Sequence, residues 1–235
     1  MHPDKYCDIV NKCNRNLIDG VSSMAGHVSD AVIRRLPGYY RHLRELEEEG
    51  VVQISSQELG QRMRLTASQI RQDINCFGGF GRQGYGYPVR ELKEKLGEIL
   101  GINRKHRMII IGAGKIGQAV ANYPSFSREG FETVAMFDIA PEKHTDIAAR
   151  IPVFDITDLE KKVADLNVSI AVLALPASSA QEVLERLYAC GVKAIWNFAP
   201  LDLKHPADME LVNVHLSDTL HILSYKMAQH TDKGE

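Results

Sequence analysis

The chain has 235 residues, 28 basic and 30 acidic side chains, a formal charge of −2 and 44% apolar residues. That length suits one large domain or two small ones, and the balanced charge excludes a global polyelectrolyte affinity for nucleic acid or anionic membrane. The apolar runs are too short to span a bilayer, and the polar opening Met1-His2-Pro3-Asp4-Lys5 is no signal peptide, so a cytoplasmic protein without membrane attachment is expected.

Residues 1–28 lack sustained periodicity and end in small polar residues, which predicts a flexible N-terminal extension. The four cysteines, Cys7, Cys13, Cys76 and Cys190, form no C-x-x-C pair and are read as incidental thiols, with no metal site expected. From Ser29 a helix is predicted, with Leu36, Tyr40, Leu43 and Leu46 or Glu47 at helical spacing and Gly50 closing it. The run Glu47-Glu48-Glu49 opposes the macrodipole at the C-terminus of that helix, so it is assigned to solvation or to another surface.

Val51 to Ile54 reads as a short extended piece. Two capping boxes follow, Ser55 with Glu58 for a helix to about Arg64 and Thr66 with Gln69 for a helix to about Phe77. Two short capped helices across a tight turn predict a helix-turn-helix, the second being the recognition helix. In it Ile70 and Ile74 pack inward, while Ser68, Gln69, Arg71 and Gln72 are offered outward. Arg can pair with guanine, Gln with adenine, and Ser can reach a phosphate.

Phe77 to Tyr87 interleaves glycines with aromatics, which predicts a β-hairpin wing, with Arg82 placed for phosphate or minor groove and Gly84 and Tyr85 beside it. Between Gly60 and Gly84, Arg62, Arg64, Arg71 and Arg82 stand against the single acid Asp73, a local basic footprint inside a chain of net charge −2. A small helical domain with merely solvated arginines is the plain alternative, but it leaves the glycine-rich wing unexplained. Val89, Leu92, Leu96, Ile99 and Leu100 then form an amphipathic connecting helix, and a domain boundary is expected within Ile102 to His106.

Met108 to Ile111 is a buried-strand run that stops at Gly112-Ala113-Gly114-Lys115-Ile116-Gly117, the G-x-G-x-x-G spacing, and runs on into a helix ending before Pro124. In such a strand-turn-helix the glycines permit the turn, the approach of a pyrophosphate and close helix–strand packing, with phosphates at the helix N-terminus. Alone the spacing is weak evidence. Its context strengthens it, because Glu132 to Phe137 reads as a second strand ending at Asp138, 21 positions beyond Gly117. A carboxylate there accepts ribose hydroxyls and repels a 2′-phosphate, so NAD(H) is expected rather than NADP(H).

Strands and helices go on alternating. Val168 to Leu175 reads as a strand buried on both faces, ending at Pro176 on the ligand side of the sheet, with Ser178 or Ser179 capping the next helix. Val192 to Trp196 is another strand, and Asn197 and Phe198 at its carboxyl end are candidates to face a nicotinamide, while Trp196 is assigned to the core. Leu211 to Val214 is a last short strand. Ser217 is read as capping a terminal helix whose stripe of Leu216, Leu220, Leu223 and Met227 suggests docking on the other domain or on a second subunit.

Together, Arg34-Arg35-Leu36-Pro37-x-Tyr39-Tyr40, Arg71-x-Asp73, Phe77-Gly78-x-Phe80-Gly81, Gly84-Tyr85-Gly86-Tyr87, the glycine fingerprint, Tyr123-Pro124, Phe137-Asp138 and Asn197-Phe198-x-Pro200 resemble the Rex family of redox-sensing transcriptional repressors, in order from about Val28 to Met227. The resemblance implies an α/β protein: a winged-helix domain with its connecting helix at 29–105, a Rossmann-type doubly wound parallel sheet at 106–216 and a C-terminal dimerisation helix at 217–235, swapped between subunits. It implies a non-enzymatic homodimer that binds palindromic operator DNA and is released when NADH binds. It also makes Tyr123 a switch residue near the nicotinamide. Many members have an Asp, pairing with that tyrosine, where this chain has His215, and Gln72 replaces a basic residue frequent in the family. The rival is a small NAD-dependent dehydrogenase; against it, the chain has no room for a separate substrate domain and no Tyr-x-x-x-Lys pair.

Overall fold

The computed structural model describes residues 28–78, 85–148 and 150–231. The expected N-terminal extension, apart from Val28, and the tip of the expected wing, with Arg82 and Gly84, lie outside these residues. The chain divides into two units between Arg104 and Lys105.

In the first unit, helix α1 (Asp30–Glu48) buries Val32, Leu36, Tyr39, Leu43 and Leu46 along one stripe. The sequence pattern favoured Tyr40; the structure instead buries Tyr39 fully and Tyr40 only partly. The reason is polar, since the Tyr39 hydroxyl finds a buried carboxylate and so can be taken out of water. Gly50 ends the helix in the left-handed region (φ +76°), with Gly50 N–H donating to Glu47 O and Val51 N–H to Leu46 O, a Schellman closure. The acidic C-terminus is accounted for by cations from other helices: Arg62 grips Glu49 at 2.7 and 3.1 Å, and Lys93 pairs with Glu47.

Strand β1 (Gln53–Ile54) leads to α2 (Ser56–Met63), whose N-terminus carries the full capping box of Ser55 and Glu58. Helix α3 (Ala67–Asn75) follows after Arg64 in the left-handed region. Here the second predicted box is only half made: the Thr66 hydroxyl accepts the Gln69 N–H, but the Gln69 side chain turns to Asp73. Strand β2 (Tyr87–Pro88) pairs antiparallel with β1, Ile54 opposite Tyr87. The described end of the wing segment thus anchors on the strand before the helix pair. Helix α4 (Val89–Ile99) buries Val89, Leu92 and Leu96 in the same core as α1.

The second unit is a six-stranded, all-parallel sheet: β3 (His106–Ile111), β4 (Phe131–Asp138), β5 (Val153–Asp155), β6 (Ile170–Leu173), β7 (Ala194–Asn197) and β8 (Glu210–Asn213), in the order β5-β4-β3-β6-β7-β8. The chain builds outward from β3 to β5, then returns to lay β6 on the other side of β3. Alternate residues of β3 serve opposite faces: Ile109 and Ile111 pack with Phe137, Leu173 and residues of α8 (Leu159–Leu166) and α9 (Ala177–Ala189), while Met108 and Ile110 pack with Val120 of α5 (Lys115–Ala121). Both faces are covered, as a parallel sheet requires.

Short helices α6 (Pro124–Arg128) and α7 (Thr145–Ala148) lie in the connections flanking β4. The terminal helix α10 (Leu216–Thr231) begins before Ser217, which therefore lies in the first turn rather than capping it. Likewise α9 starts at Ala177 with Pro176 as its cap, so neither Ser178 nor Ser179 caps it. Among the described residues no helix is long and apolar enough to cross a membrane.

Candidate functional site

The reversal of strand order between β3 and β6 opens a crevice at the carboxyl ends of these strands, where doubly wound sheets bind ligands. The glycine fingerprint lies there, joining β3 to α5. Gly112 has φ +99°, and a Cβ on it would stand 2.3 Å from Ala174 O; one on Gly117 would stand 2.0 Å from Gly112 O. These two glycines are demanded by packing. A Cβ on Gly114 would meet nothing within 4 Å, so this glycine faces open space, as an approaching ligand backbone would require. Gly114 caps α5 without a side-chain bond, so the leading N–H groups of Lys115 and Ile116 are left to a ligand or water.

Asp138 ends β4 beside this turn. Its carboxylate accepts the Ala113 N–H at 2.8 Å and the Ala140 N–H at 3.0 Å, with His144 Nε2 3.5 Å away. Each oxygen keeps lone-pair capacity for hydroxyl donors. Pro176 lies just beyond β6, at the start of α9.

An aromatic row runs from the start of α6 to the end of β7. The Tyr123 ring packs on Phe126 (4.6 Å between centroids), Phe126 meets Trp196 edge-on (5.7 Å), and Trp196 meets Phe198 (4.6 Å). Trp196 and Phe198 pack against the Met108 and Ile110 face, which agrees with a core role for the tryptophan, while Tyr123 is 55% exposed. Asn197 differs from expectation. It is fully buried, and its amide donates to Leu201 O and Asn213 Oδ1 and accepts the Ala199 N–H. With its groups committed inside, it shapes the 198–202 loop rather than facing outward. His215 pairs with Asp202 at 3.2 Å, and Asp202 also accepts from Asn213.

In the first unit α3 exposes Ser68, Arg71 and Gln72, with Arg71 donating to Ser56 Oγ at 3.0 Å. Tyr85 is 72% exposed. Gln69 is half-buried. Beneath them Asp73, 1% exposed, receives Arg35 in a two-pronged grip (2.6 and 2.9 Å), the Tyr39 hydroxyl (2.8 Å) and Gln69 Nε2 (2.7 Å). Burial pushes the Asp73 carboxyl up, but these hydrogen bonds and the Arg35 charge outweigh it and hold the carboxyl below its ordinary value. Burial, then the bond to Asp73, pushes the Tyr39 phenol up.

Sequence reasoning did not find this network as a unit. Its available signals were two i, i+4 spacings, Arg35 with Tyr39 and Gln69 with Asp73, each pair on one helical face. His144, Phe126 and Asp202 were also missed, because each is defined by a partner distant in the chain. Among the described residues no group of three or more His, Cys, Asp or Glu side chains could hold a metal ion.

Comparison with known proteins adds to this geometry. The family described as "Putative DNA-binding protein N-terminus" matches residues 27–75, and that described as "CoA binding domain" matches residues 103–201. The chain is 50% identical over 200 residues to the redox-sensing transcriptional repressor Rex of Caldanaerobacter subterraneus subsp. tengcongensis, covering 85% of this chain and 89% of that relative. The crystal structure of RSP in complex with beta-NAD+ and operator DNA is similar with a TM-score of 0.82 and 49% identity, over 88% of this chain and 95% of the other. That of RSP in complex with beta-NADH is similar with a TM-score of 0.80 and 47% identity, over 88% and 97%.

Proposed function

This chain belongs to the Rex family of redox-sensing transcriptional repressors, and from that premise we infer that it binds operator DNA as a homodimer and releases it when NADH binds. The observation that carries this reading is the pairing, in one chain, of a capped helix pair with a sheet whose switch point holds a glycine cradle and a carboxylate. The likeness to RSP, solved with both nucleotides and with operator DNA, supports it.

The residues fit NAD(H). Gly114 leaves space for the pyrophosphate, Ala113 to Gly117 supply the turn and helix N-terminus, and Asp138 can take two ribose hydroxyls on its remaining lone pairs while repelling a 2′-phosphate. Tyr123 and Phe198 form the aromatic side of the nicotinamide region, with Pro176 at its edge and Asn197 holding the loop in shape. The bound nucleotide supplies a ring whose charge differs between its two redox states. Tyr123 acts as the switch residue, and His215, already bonded to Asp202, as the second.

On DNA, Ser68, Gln69, Arg71, Gln72 and Tyr85 face the groove, joined by Arg82 and Gly84 from outside the described residues. Helix α10 exposes Leu216, Leu220, Leu223 and Met227, each 53–64% accessible, and this stripe is the dimer contact, swapped onto the partner. The chain works in the cytoplasm without membrane attachment and without catalysis of its own. Release by NADH requires NADH to favour the DNA-incompetent arrangement, and operator then weakens NADH binding by the same factor. The test is operator binding with and without each nucleotide. The curated relatives are named as repressors, which supports this reading over a dehydrogenase.

A further inference from the structure

The Asp73 carboxylate is saturated. Two carboxylate oxygens offer about four acceptor positions, and Arg35 Nε, Arg35 Nη2, the Tyr39 hydroxyl and Gln69 Nε2 donate to them at 2.6, 2.9, 2.8 and 2.7 Å. For Gln69 this has one orientation only. Turning the carboxamide over would bring its oxygen to 2.7 Å from a carboxylate oxygen, two acceptors with no proton between them. The same contact explains why the side chain abandons the capping box that its place three residues after Thr66 would allow.

A free glutamine reads either sense of hydrogen bond: its N–H groups suit the keto acceptors of guanine or thymine, and its oxygen suits the amino donors of adenine or cytosine. We propose that Gln69 is a specificity-determining residue whose amide, pinned through one N–H by buried Asp73, presents its carbonyl oxygen, with the second N–H beside it, to DNA and selects an amino base, adenine or cytosine, at one position of each half-site. The inference rests on the operator-binding reading above. Arg71 and Gln72, one and two residues further along, carry no such internal tether to Asp73 and add contacts of other kinds.

The experiment selects bound duplexes from a pool with randomised half-sites, using the full-length protein and its Gln69→Met variant, which keeps side-chain length and removes the acceptor. Wild type is expected to favour adenine or cytosine over guanine and thymine by about fivefold or more at one position per half-site, and the variant to level that position alone. A second arm needs no variant. Replacing adenine there by purine, which lacks the amino group, is expected to weaken wild-type binding to the same degree. Preference for guanine or thymine at the Gln69-dependent position, or a variant profile that changes nowhere, overturns the inference while leaving operator binding intact. Failure of wild type to select any duplex overturns the reading beneath it as well.

Discussion

The Ala113 N–H donates to Asp138 Oδ2 at 2.8 Å, joining the turn after β3 to the end of β4 across 25 residues. The second position of the glycine fingerprint and the acidic residue proposed to read the ribose are thus one structural unit. A change at Asp138 alters the turn as well as the proposed ribose contact.

Asp138→Ala removes an acceptor from two backbone N–H groups and from the ribose hydroxyls together. NADH affinity should fall by at least about 10- to 100-fold, the loss expected for a single bond to a charged acceptor at about 1.5–3 kcal/mol. The preference for NADH over NADPH should shrink, because the repulsion of a 2′-phosphate goes with the carboxylate. Calorimetric titration with both nucleotides checks this.

The glycines separate folding from binding. Gly114→Ala adds a methyl where nothing lies within 4 Å, so the variant should melt like wild type yet bind NADH weakly or not at all. Gly117→Ala drives a Cβ into Gly112 O and should lose both stability and binding. Thermal melting beside nucleotide titration distinguishes the two.

Asp73→Ala strands Arg35 and Tyr39 beside an emptied pocket. Breaking a buried pair costs several kcal/mol, and because the Arg35 side chain is 29% exposed the loss is placed at about 3 kcal/mol. Tyr39→Phe should cost about 1.5 kcal/mol. The pH dependence has a definite sign: a carboxyl held below its ordinary value contributes stability that is present above about pH 4 and is lost as pH falls through its lower folded value. Hydrogen exchange of α1 to α4 against pH should show this acid limb in wild type and its absence in Asp73→Ala.

Leu220→Arg with Leu223→Arg places two charges on the α10 stripe. Sedimentation should find the variant monomeric at concentrations where wild type is a dimer. A variant that remains dimeric would move the subunit contact elsewhere.

What the sequence made legible follows from what is local. The Ser55 and Glu58 box, the turn at Gly112 to Gly117 and the β6 run are each decided within a few residues; the first two formed where predicted, and β6 formed as Ile170–Leu173, inside the predicted Val168 to Leu175. Features set by distant partners were not readable. Tyr39 rather than Tyr40 is buried because a carboxylate 34 residues on awaits its hydroxyl, and Gln69 leaves its capping box for the same group. Asn197 looked like a ligand contact at a strand end, but Leu201 and Asn213 fold back to take its amide.

Removal from DNA by one nucleotide, in one redox state, is the property on which everything else here depends. Fluorescence anisotropy of a labelled palindromic operator duplex at fixed salt, with the full-length protein, reads this out. The expected result is a bound duplex that stays bound with NAD⁺ and is released as NADH is added, with Gly114→Ala bound throughout. A duplex that remains bound in saturating NADH, or that NAD⁺ releases equally well, would contradict it.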